Sequence, residues 1–264
     1  MEKYIGGEGF GARILWENLK PGVDAFSPEN IMVFAPGPLT GTKAPCSARM
    51  SIVFKSPLTG TIGASNVGGY WAPELRKAGY DALIVVGAAE KPVYIYVKDD
   101  FVEIKSAFHL WGRDVYETTK LIKKELGDDK VRVANIGVAG EKKVRFASVM
   151  VESVIVDVHR AAGRGGAGAV MGSKNLKAVA VRGTGEIKIY DEEGFKRGVK
   201  KALDELEAEA FVRDALKVYG TPAFTEPINA LGILPSYNWR KTMIERIEEI
   251  SAKRYYEVLK VEKE

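Results

Sequence analysis

His159-Arg160-Ala161-Ala162-Gly163-Arg164-Gly165-Gly166-Ala167-Gly168, continued by Ala169-Val170-Met171-Gly172-Ser173-Lys174-Asn175-Leu176-Lys177-Ala178, is the stretch on which the fold turns. Residues 163–168 satisfy G-x-G-x-x-G, and Glu186 lies at a plausible distance to bind a ribose. A dinucleotide fold needs those glycines directly after a strand and at the head of a long helix. Here residues 159–162 intervene, Gly172 interrupts the segment after the glycines, and 176–182 reads as a strand. The pattern therefore disfavours a doubly wound sheet and, with it, a dinucleotide-binding oxidoreductase. Gly172-Ser173-Lys174 is not a P-loop, because the lysine of a P-loop directly follows the glycine.

Upstream, residues 31–35, 51–55, 82–86, 93–97, 102–104, 131–136, 146–149 and 178–182 form short β-rich runs bounded by Gly, Pro, Asp or Asn. Helices are few among them. Ala12, Leu15, Trp16 and Leu19 space as an amphipathic helix over 12–20, residues 70–77 read as helix, and Asp114 with Glu117 starts a capped helix that Gly127 stops. Many strands with few crossovers predict an α+β fold of largely antiparallel sheets. Pro38-Leu39-Thr40-Gly41-Thr42 recurs as Pro57-Leu58-Thr59-Gly60-Thr61, so two turns could present one backbone geometry twice. After Gly185 the chain becomes charged and helical. Asp191 caps a segment with Phe195, Val199, Ala202, Leu203, Leu206 and Ala210 on one face, and Met243, Ile247 and Ile250 suggest a further helix. The expected domains are 1–185 and 186–264, the second an incomplete helical domain whose amphipathic helix needs another domain or chain.

Composition narrows the function. Of 264 residues, 39 are basic and 35 acidic, a balance too even for a nucleic-acid surface, and no apolar run approaches the length of a membrane span. A cytoplasmic protein is expected. One cysteine, Cys46, and two histidines, His109 and His159, cannot furnish a closed zinc site or a four-cysteine iron–sulfur cluster. Cys46 is expected partly buried, His109 in packing, and His159 in orienting the loop after it.

Three places suit an anion: the glycines flanked by Arg160 and Arg164, the segment Asn66-Val67-Gly68-Gly69 ahead of a helix, and Arg49 with Lys55 around a strand. Each alone reads as a turn with a solvated charge. Together they favour a polyanionic ligand.

The runs Ala35-Pro36-Gly37-Pro38-Leu39-Thr40-Gly41-Thr42, Lys55-Ser56-Pro57-Leu58-Thr59-Gly60, Gly68-Gly69-Tyr70, Ala78-Gly79-Tyr80-Asp81, and the stretch from His159 to Ala178 resemble the N-terminal domain of the aldehyde ferredoxin oxidoreductases. The resemblance runs from about Tyr4 to Gly183 and weakly on to Trp239. It implies two similar β-rich halves forming a base for a bis-pterin tungsten (or molybdenum) cofactor, followed by the start of an all-α domain. Carried over by position, Arg49, Asn66, Gly68, Arg160, Ala161 and Gly163 would contact tungstopterin, and Asn66 with the Ala161 carbonyl would face a magnesium ion bridging the phosphates. Lys55 and Arg164 are weaker matches. The implied reaction oxidises an aldehyde to a carboxylic acid, with electrons leaving through an iron–sulfur cluster to ferredoxin. No catalytic residue is assigned within this sequence. The cluster cysteines and later helical domains would come from a missing segment or a second chain, and a homo-oligomer is compatible. A non-catalytic pterin-binding module, or a truncated remnant, is the alternative. Glu8 stands where the family usually has arginine, Ala48 replaces a glycine, Val67 replaces a hydroxyl residue, and 150–159 is longer than the family's connection.

Overall fold

The computed structural model describes residues 3–153 and 159–259, in two compact units, residues 3–189 and 190–259. In the first, alternation along the strands builds two sheets. Strands β1 (Met32–Pro36), β2 (Met50–Lys55), β3 (Ile62–Val67) and β4 (Leu83–Val85) make an antiparallel sheet in the order β3-β2-β1-β4. Strands β5 (Val93–Lys98), β6 (Phe101–Ser106), β7 (Arg132–Asn135), β8 (Val149–Glu152), β9 (His159–Ala162) and β10 (Leu176–Arg182) make the second, in the order β6-β5-β10-β7-β8-β9. Only β5 and β10 run parallel; every other neighbouring pair is antiparallel.

Period-two side chains sort the core into layers. Met32, Phe34, Ile52 and Phe54 from the first sheet and Val151, Val179 and Val181 from the second enter one shared core, joined by Trp71 and Leu75 of helix α2 (Trp71–Lys77). Their neighbours Val33, Ala35 and Val53 face the other way, against Leu15 of α1 (Gly7–Asn18). Tyr94, Tyr96, Ala178 and Ala180 likewise turn from the shared core toward Ile122 of α3 (Val115–Leu126). Trp71 is fully buried and its indole N–H donates to the Val179 carbonyl at 2.8 Å, so the largest core side chain leaves no polar atom unpaired.

Helix α3 is capped as expected: the Asp114 carboxylate accepts from the Glu117 N–H at 2.8 Å, and Gly127 closes the helix with φ 65°. Helix α4 (Val138–Glu141) and helix α5 (Ala167–Ser173) are short. The second unit opens with α6 (Glu192–Ala208), capped by Asp191, and continues through short helical turns to α7 (Ala252–Leu259). No residue of α6 is buried.

The α+β expectation with largely antiparallel sheets is met, and several local readings are corrected. The strand expected at 146–149 lies at 149–152, because Ala147 is held in a turn by its N–H to the Val144 carbonyl. Strands β3 and β9 had no strong β signal; each is a sheet edge whose polar and small residues face outward. Residues 159–162, read as a spacer before the glycines, are β9 itself. That strand is an antiparallel edge feeding a seven-residue helix, so the dinucleotide geometry is still absent. Met243 lies outside any helix, and Ile247–Ile250 form a single 3₁₀ turn.

Candidate functional site

Edge strands β3 and β9 bring the two sheets together, and the join is made by named bonds. The Ser56 hydroxyl donates to the Gly165 carbonyl at 2.7 Å, the Arg164 N–H donates to the Ser65 hydroxyl at 3.0 Å, and the Tyr70 N–H donates to the Glu152 carbonyl at 3.2 Å. This seam places the Asn66–Gly68 segment alongside Arg160–Gly163. Asn66, Arg160, Ala161 and Gly163 are all exposed, and Gly68 is half-buried.

Asn66 is oriented rather than free to swing. Its side-chain oxygen accepts from the Ser51 hydroxyl at 2.7 Å across the β2–β3 ladder, where the two residues are register partners. The amino-terminal turn of α1 lies beside the same pair: a Cβ on Gly7 would stand 3.8 Å from the Ser51 hydroxyl. Arg49, exposed, enters β2 two residues before Ser51, and its carbonyl accepts from the Thr40 hydroxyl at 2.7 Å. One end of β2, the start of α1 and the outer edge of β3 therefore converge.

On the β9 side the support is a polar network. The His159 ring nitrogen Nε2 lies 3.1 Å from the Thr119 hydroxyl of α3, Asn135 donates to that same hydroxyl at 2.9 Å, and the Tyr116 ring meets the imidazole edge-on at 4.7 Å. This anchors the strand that carries Arg160 and Ala161, as expected of His159. Glu152, paired in register with His159, is 8% exposed; its carboxylate accepts from the Val133 N–H at 2.8 Å and from Lys123 at 2.5 Å.

The glycines divide into two kinds. A Cβ on Gly68 would meet nothing within 4 Å, and one on Gly163 would meet only Ala161 at 3.9 Å, so a ligand can approach the backbone closely there. Gly69, Gly166, Gly168 and Gly172 have no such space. Added Cβ atoms would stand 2.3 Å from the Glu152 carbonyl oxygen, 2.0 Å from that of Arg145, 2.3 Å from that of Ser148 and 2.0 Å from that of Gly140. The phosphate cradle read from residues 163–168 thus shrinks to Arg160–Gly165, and the remaining glycines serve backbone packing.

Other expectations are redistributed. Arg49 and Lys55 bracket β2 and stand at its opposite ends, roughly 17–20 Å apart by strand rise, so they do not form one site. Lys55 faces a groove with Pro57, Thr59 and Arg145. The two Pro-Leu-Thr-Gly-Thr turns share a left-handed glycine, φ 84° at Gly41 and 72° at Gly60. They follow antiparallel strands, and so lie at opposite ends of the first sheet. Val67 is 2% exposed in the shared core, where a methyl-bearing side chain packs better than a hydroxyl. Cys46 is exposed, in a left-handed turn with φ 57°. The His109 ring is half exposed and bonds Glu125 at 3.1 Å rather than packing. The long connection 150–159 falls partly outside the described residues.

Sequence patterning did not reveal the buried charges. Lys177 is fully buried and pairs with Glu141 at 2.5 Å; burial pushes its ammonium below the usual lysine range while Glu141 pulls it back up. Lys174, 2% exposed, donates to the Pro28 and Gly87 carbonyls at 3.1 and 2.8 Å, and burial pushes it down to about 8. Arg182 bonds Glu74 at 2.8 Å, tying the end of β10 to α2. Lys177 lies in the run Leu176–Arg182, whose burial on both faces is the signal that could have exposed it, whereas Lys174 follows α5 between Ser173 and Asn175 and no sequence pattern marks it.

The seam offers exposed guanidiniums, an oriented amide oxygen, a strand-edge carbonyl and uncovered glycine backbone. Cations and open backbone suit phosphates, and hard oxygen donors suit a magnesium ion. No group of three or more His, Cys, Asp or Glu side chains able to hold a metal ion exists among the described residues. The class so defined is a two-sheet α+β base with an exposed, anion-suited seam between its sheets. Residues 1–183 match the family model described as aldehyde ferredoxin oxidoreductase, N-terminal domain, and residues 197–264 match that for domains 2 and 3. The chain belongs to the aldehyde ferredoxin oxidoreductase family. It is 48% identical over 90% of its length to the tungsten-containing aldehyde ferredoxin oxidoreductase of Pyrococcus furiosus, and 45% identical over 95% to that of Thermococcus kodakarensis. It spans 39% and 40% of those two relatives. The active site complex BamBC of benzoyl coenzyme A reductase superposes with TM-score 0.75 at 41% identity, over 82% of this chain and 33% of that one. No helix among the described residues is long and apolar enough to cross a membrane.

Proposed function

We propose that this chain is the tungstopterin-binding portion of an aldehyde:ferredoxin oxidoreductase. The observation that carries the reading is the β3–β9 seam, which brings Asn66 and Gly68 of one sheet beside Arg160, Ala161 and Gly163 of the other. Arg49 and Arg160 would neutralise phosphate charge, Gly68 and Gly163 would let the ligand reach the main chain, and Asn66 with the Ala161 carbonyl would supply oxygen to a bridging magnesium ion. When bound, the tungsten centre supplies the oxygen transfer that turns an aldehyde into a carboxylic acid. The chain's own part is to bind, orient and shield the cofactor. One cysteine cannot hold an iron–sulfur cluster, so the cluster that passes electrons to ferredoxin would sit in residues beyond these 264 or in a second chain. The domain division proposed is a cofactor base over 1–185 followed by a helical domain, in a cytoplasmic enzyme.

A second reading, a base that no longer retains its cofactor, is favoured by Glu8. This residue lies in the first turn of α1, next to Gly7, which abuts Ser51, and a negative charge there would repel a phosphate bound at that end of β2. Elemental analysis for tungsten, molybdenum, iron and phosphorus separates the two. The chain is purified from a host that makes the metallopterin, together with Asn66→Ala and Arg160→Ala variants. Tungsten or molybdenum with phosphorus in the native chain, reduced in both variants, supports the cofactor base. Metal-free and phosphorus-free native protein refutes it and leaves the second reading.

A further inference from the structure

We infer that two adjoining grooves around Lys55 form one docking track for an acidic polypeptide segment with an apolar anchor, at the end of β2 away from Arg49. The first groove, about 530 Å³, runs beside α1 and is lined by Leu15, Trp16, Leu19, Lys20 and Ile62. The second, about 470 Å³, lies between residues 22–26 and the turn 56–60 and includes Arg145. Gly22, Lys55 and Gly60 line both, so the two grooves are continuous. Strand register builds the track. Lys55 stands two residues after Val53 on β2, so its side chain leaves the sheet on the α1 face, and its register partner Ile62 leaves on the same face. The inference does not rest on cofactor binding, because the length of β2 separates Lys55 from Arg49.

Charge and shape together choose the occupant. Among the described residues, Lys20, Lys55 and Arg145 make no ion pair and no side-chain hydrogen bond. The acids beside them are already engaged: Glu17 pairs with Arg13, and the Asp24 carboxylate accepts the Phe26 N–H of its own loop at 2.8 Å. The cations are thus left for an outside anion. The apolar side chains are equally bare, Trp16 being 82% exposed, Ile62 55% and Leu58 52%. The walls are held in place beforehand. Fully buried Asn30 ties the 22–30 loop to β2, donating to the Ala25 and Lys55 carbonyls at 2.7 and 3.0 Å and accepting the Lys55 N–H at 3.1 Å. The Ser56 hydroxyl likewise accepts the Leu58 and Thr59 N–H groups at 3.2 and 3.1 Å. A groove already in shape spares its ligand the cost of ordering it. A free phosphate would meet the cations but leave Trp16 and Ile62 in water, and a bilayer surface does not follow a concave track. An acidic segment with an apolar side chain ahead of its carboxylates covers both grooves.

Fluorescence anisotropy of a labelled probe peptide, two leucines followed by four glutamates, titrated with the full chain tests the track. Saturable binding is expected with a dissociation constant on the order of 10–100 μM at low salt, weakening as salt is added. Replacing the peptide's glutamates by glutamine, or its leucines by serine, should each weaken binding about tenfold or more, and so should Lys55→Glu, Arg145→Glu and Trp16→Ala in the chain. Unlabelled peptide should also move the native tryptophan emission to shorter wavelength, a shift that Trp16→Phe abolishes. Far-UV circular dichroism checks that each variant folds, and the exposed Arg145 and Trp16 keep the test decisive where Lys55→Glu does not fold. The proposal is overturned by no saturation at about 1 mM chain, by binding indifferent to the chain substitutions, or by equal binding of the glutamine peptide. Displacement of the peptide by equimolar inorganic phosphate, or tighter binding to phosphatidylserine vesicles than to the peptide, overturns it as well.

Discussion

Replacing Glu141 by glutamine should unmask the cost of burying Lys177. The two side chains are 3% and 0% exposed, their charged atoms are 2.5 Å apart, and the carboxylate also accepts the Gly112 N–H at 3.0 and 2.9 Å. Glutamine preserves shape and an acceptor, but leaves an ammonium with only the Arg113 carbonyl, at 2.9 Å, as a further partner. Breaking a buried pair from one side typically costs about 3–5 kcal/mol. The chain can limit the loss by releasing the proton, and against an unfolded lysine near about pH 10.4 that release costs roughly 4.6 kcal/mol at pH 7 and about 1.9 kcal/mol at pH 9. Once Lys177 is neutral in the folded variant and protonated in the unfolded one, the unfolded state binds more protons, so variant stability rises with pH. The expected deficit against the native chain is about 3–4.5 kcal/mol at pH 7, shrinking by about 2 kcal/mol by pH 9. Urea unfolding followed by fluorescence of the buried Trp71 measures it, and contributions shared by both chains, including that of Lys174, cancel in the difference. A deficit below about 1 kcal/mol, or one that does not change with pH, would refute the reasoning.

Lys174 gives a pH signature of its own. Its folded value near 8 lies below its unfolded value, so the cost of burying the charged ammonium is fully present and flat below pH 8, and native stability should climb by up to about 3 kcal/mol between pH 8 and 10.5; Lys174→Met should remove that slope in paired urea titrations. Gly69→Ala forces a Cβ against the Glu152 carbonyl at φ 105° and should cost about 2–4 kcal/mol, whereas Gly68→Ala should change stability by no more than about 0.5 kcal/mol and act only on phosphorus content after expression in a metallopterin-making host. Equal effects of the two on thermal unfolding would contradict the division between packing and open glycines. Glu8→Arg should tighten pyrophosphate binding by about tenfold at low salt in titration calorimetry, an effect that shrinks as salt is added. Unchanged affinity would remove the α1 terminus from the site.

How much of the fold and site was legible in the sequence depended on burial. Strands β1, β2, β5 and β10 declare themselves because both faces are covered, or one is, and their β-branched and aromatic residues repeat without interruption. The helix from Val115 was equally plain, since Asp114 and Gly127 act locally on backbone geometry. β3 and β9 were missed for the opposite reason: Ile62-Gly63-Ala64-Ser65-Asn66-Val67 and His159-Arg160-Ala161-Ala162 are edges, and their residues are chosen for contacts outside the sheet. Those two strands, with the glycines Gly68 and Gly163 that follow them, carry most of the candidate site. The family pattern supplied Asn66, Gly68, Arg160, Ala161 and Gly163 without showing that a sheet seam joins them. Arg49 and Lys55 look adjacent along the sequence, yet strand geometry separates them. The repeated turn does present one backbone geometry twice, but sequence identity of two turns says nothing about the direction of the strands that deliver them.

Helix α5 packs main chain against main chain, and this has an evolutionary consequence. From Gly166 to Gly172 every residue is buried, and three glycines admit no side-chain carbon because neighbouring carbonyl oxygens already occupy the space. Selection on that segment acts through foldability, generation after generation, whatever becomes of the ligand. The longest recognisable word in the chain is thus a fossil of its architecture. A lineage in which Arg49 and Arg160 held no ligand would still spell it, while its members would drift apart at the exposed seam.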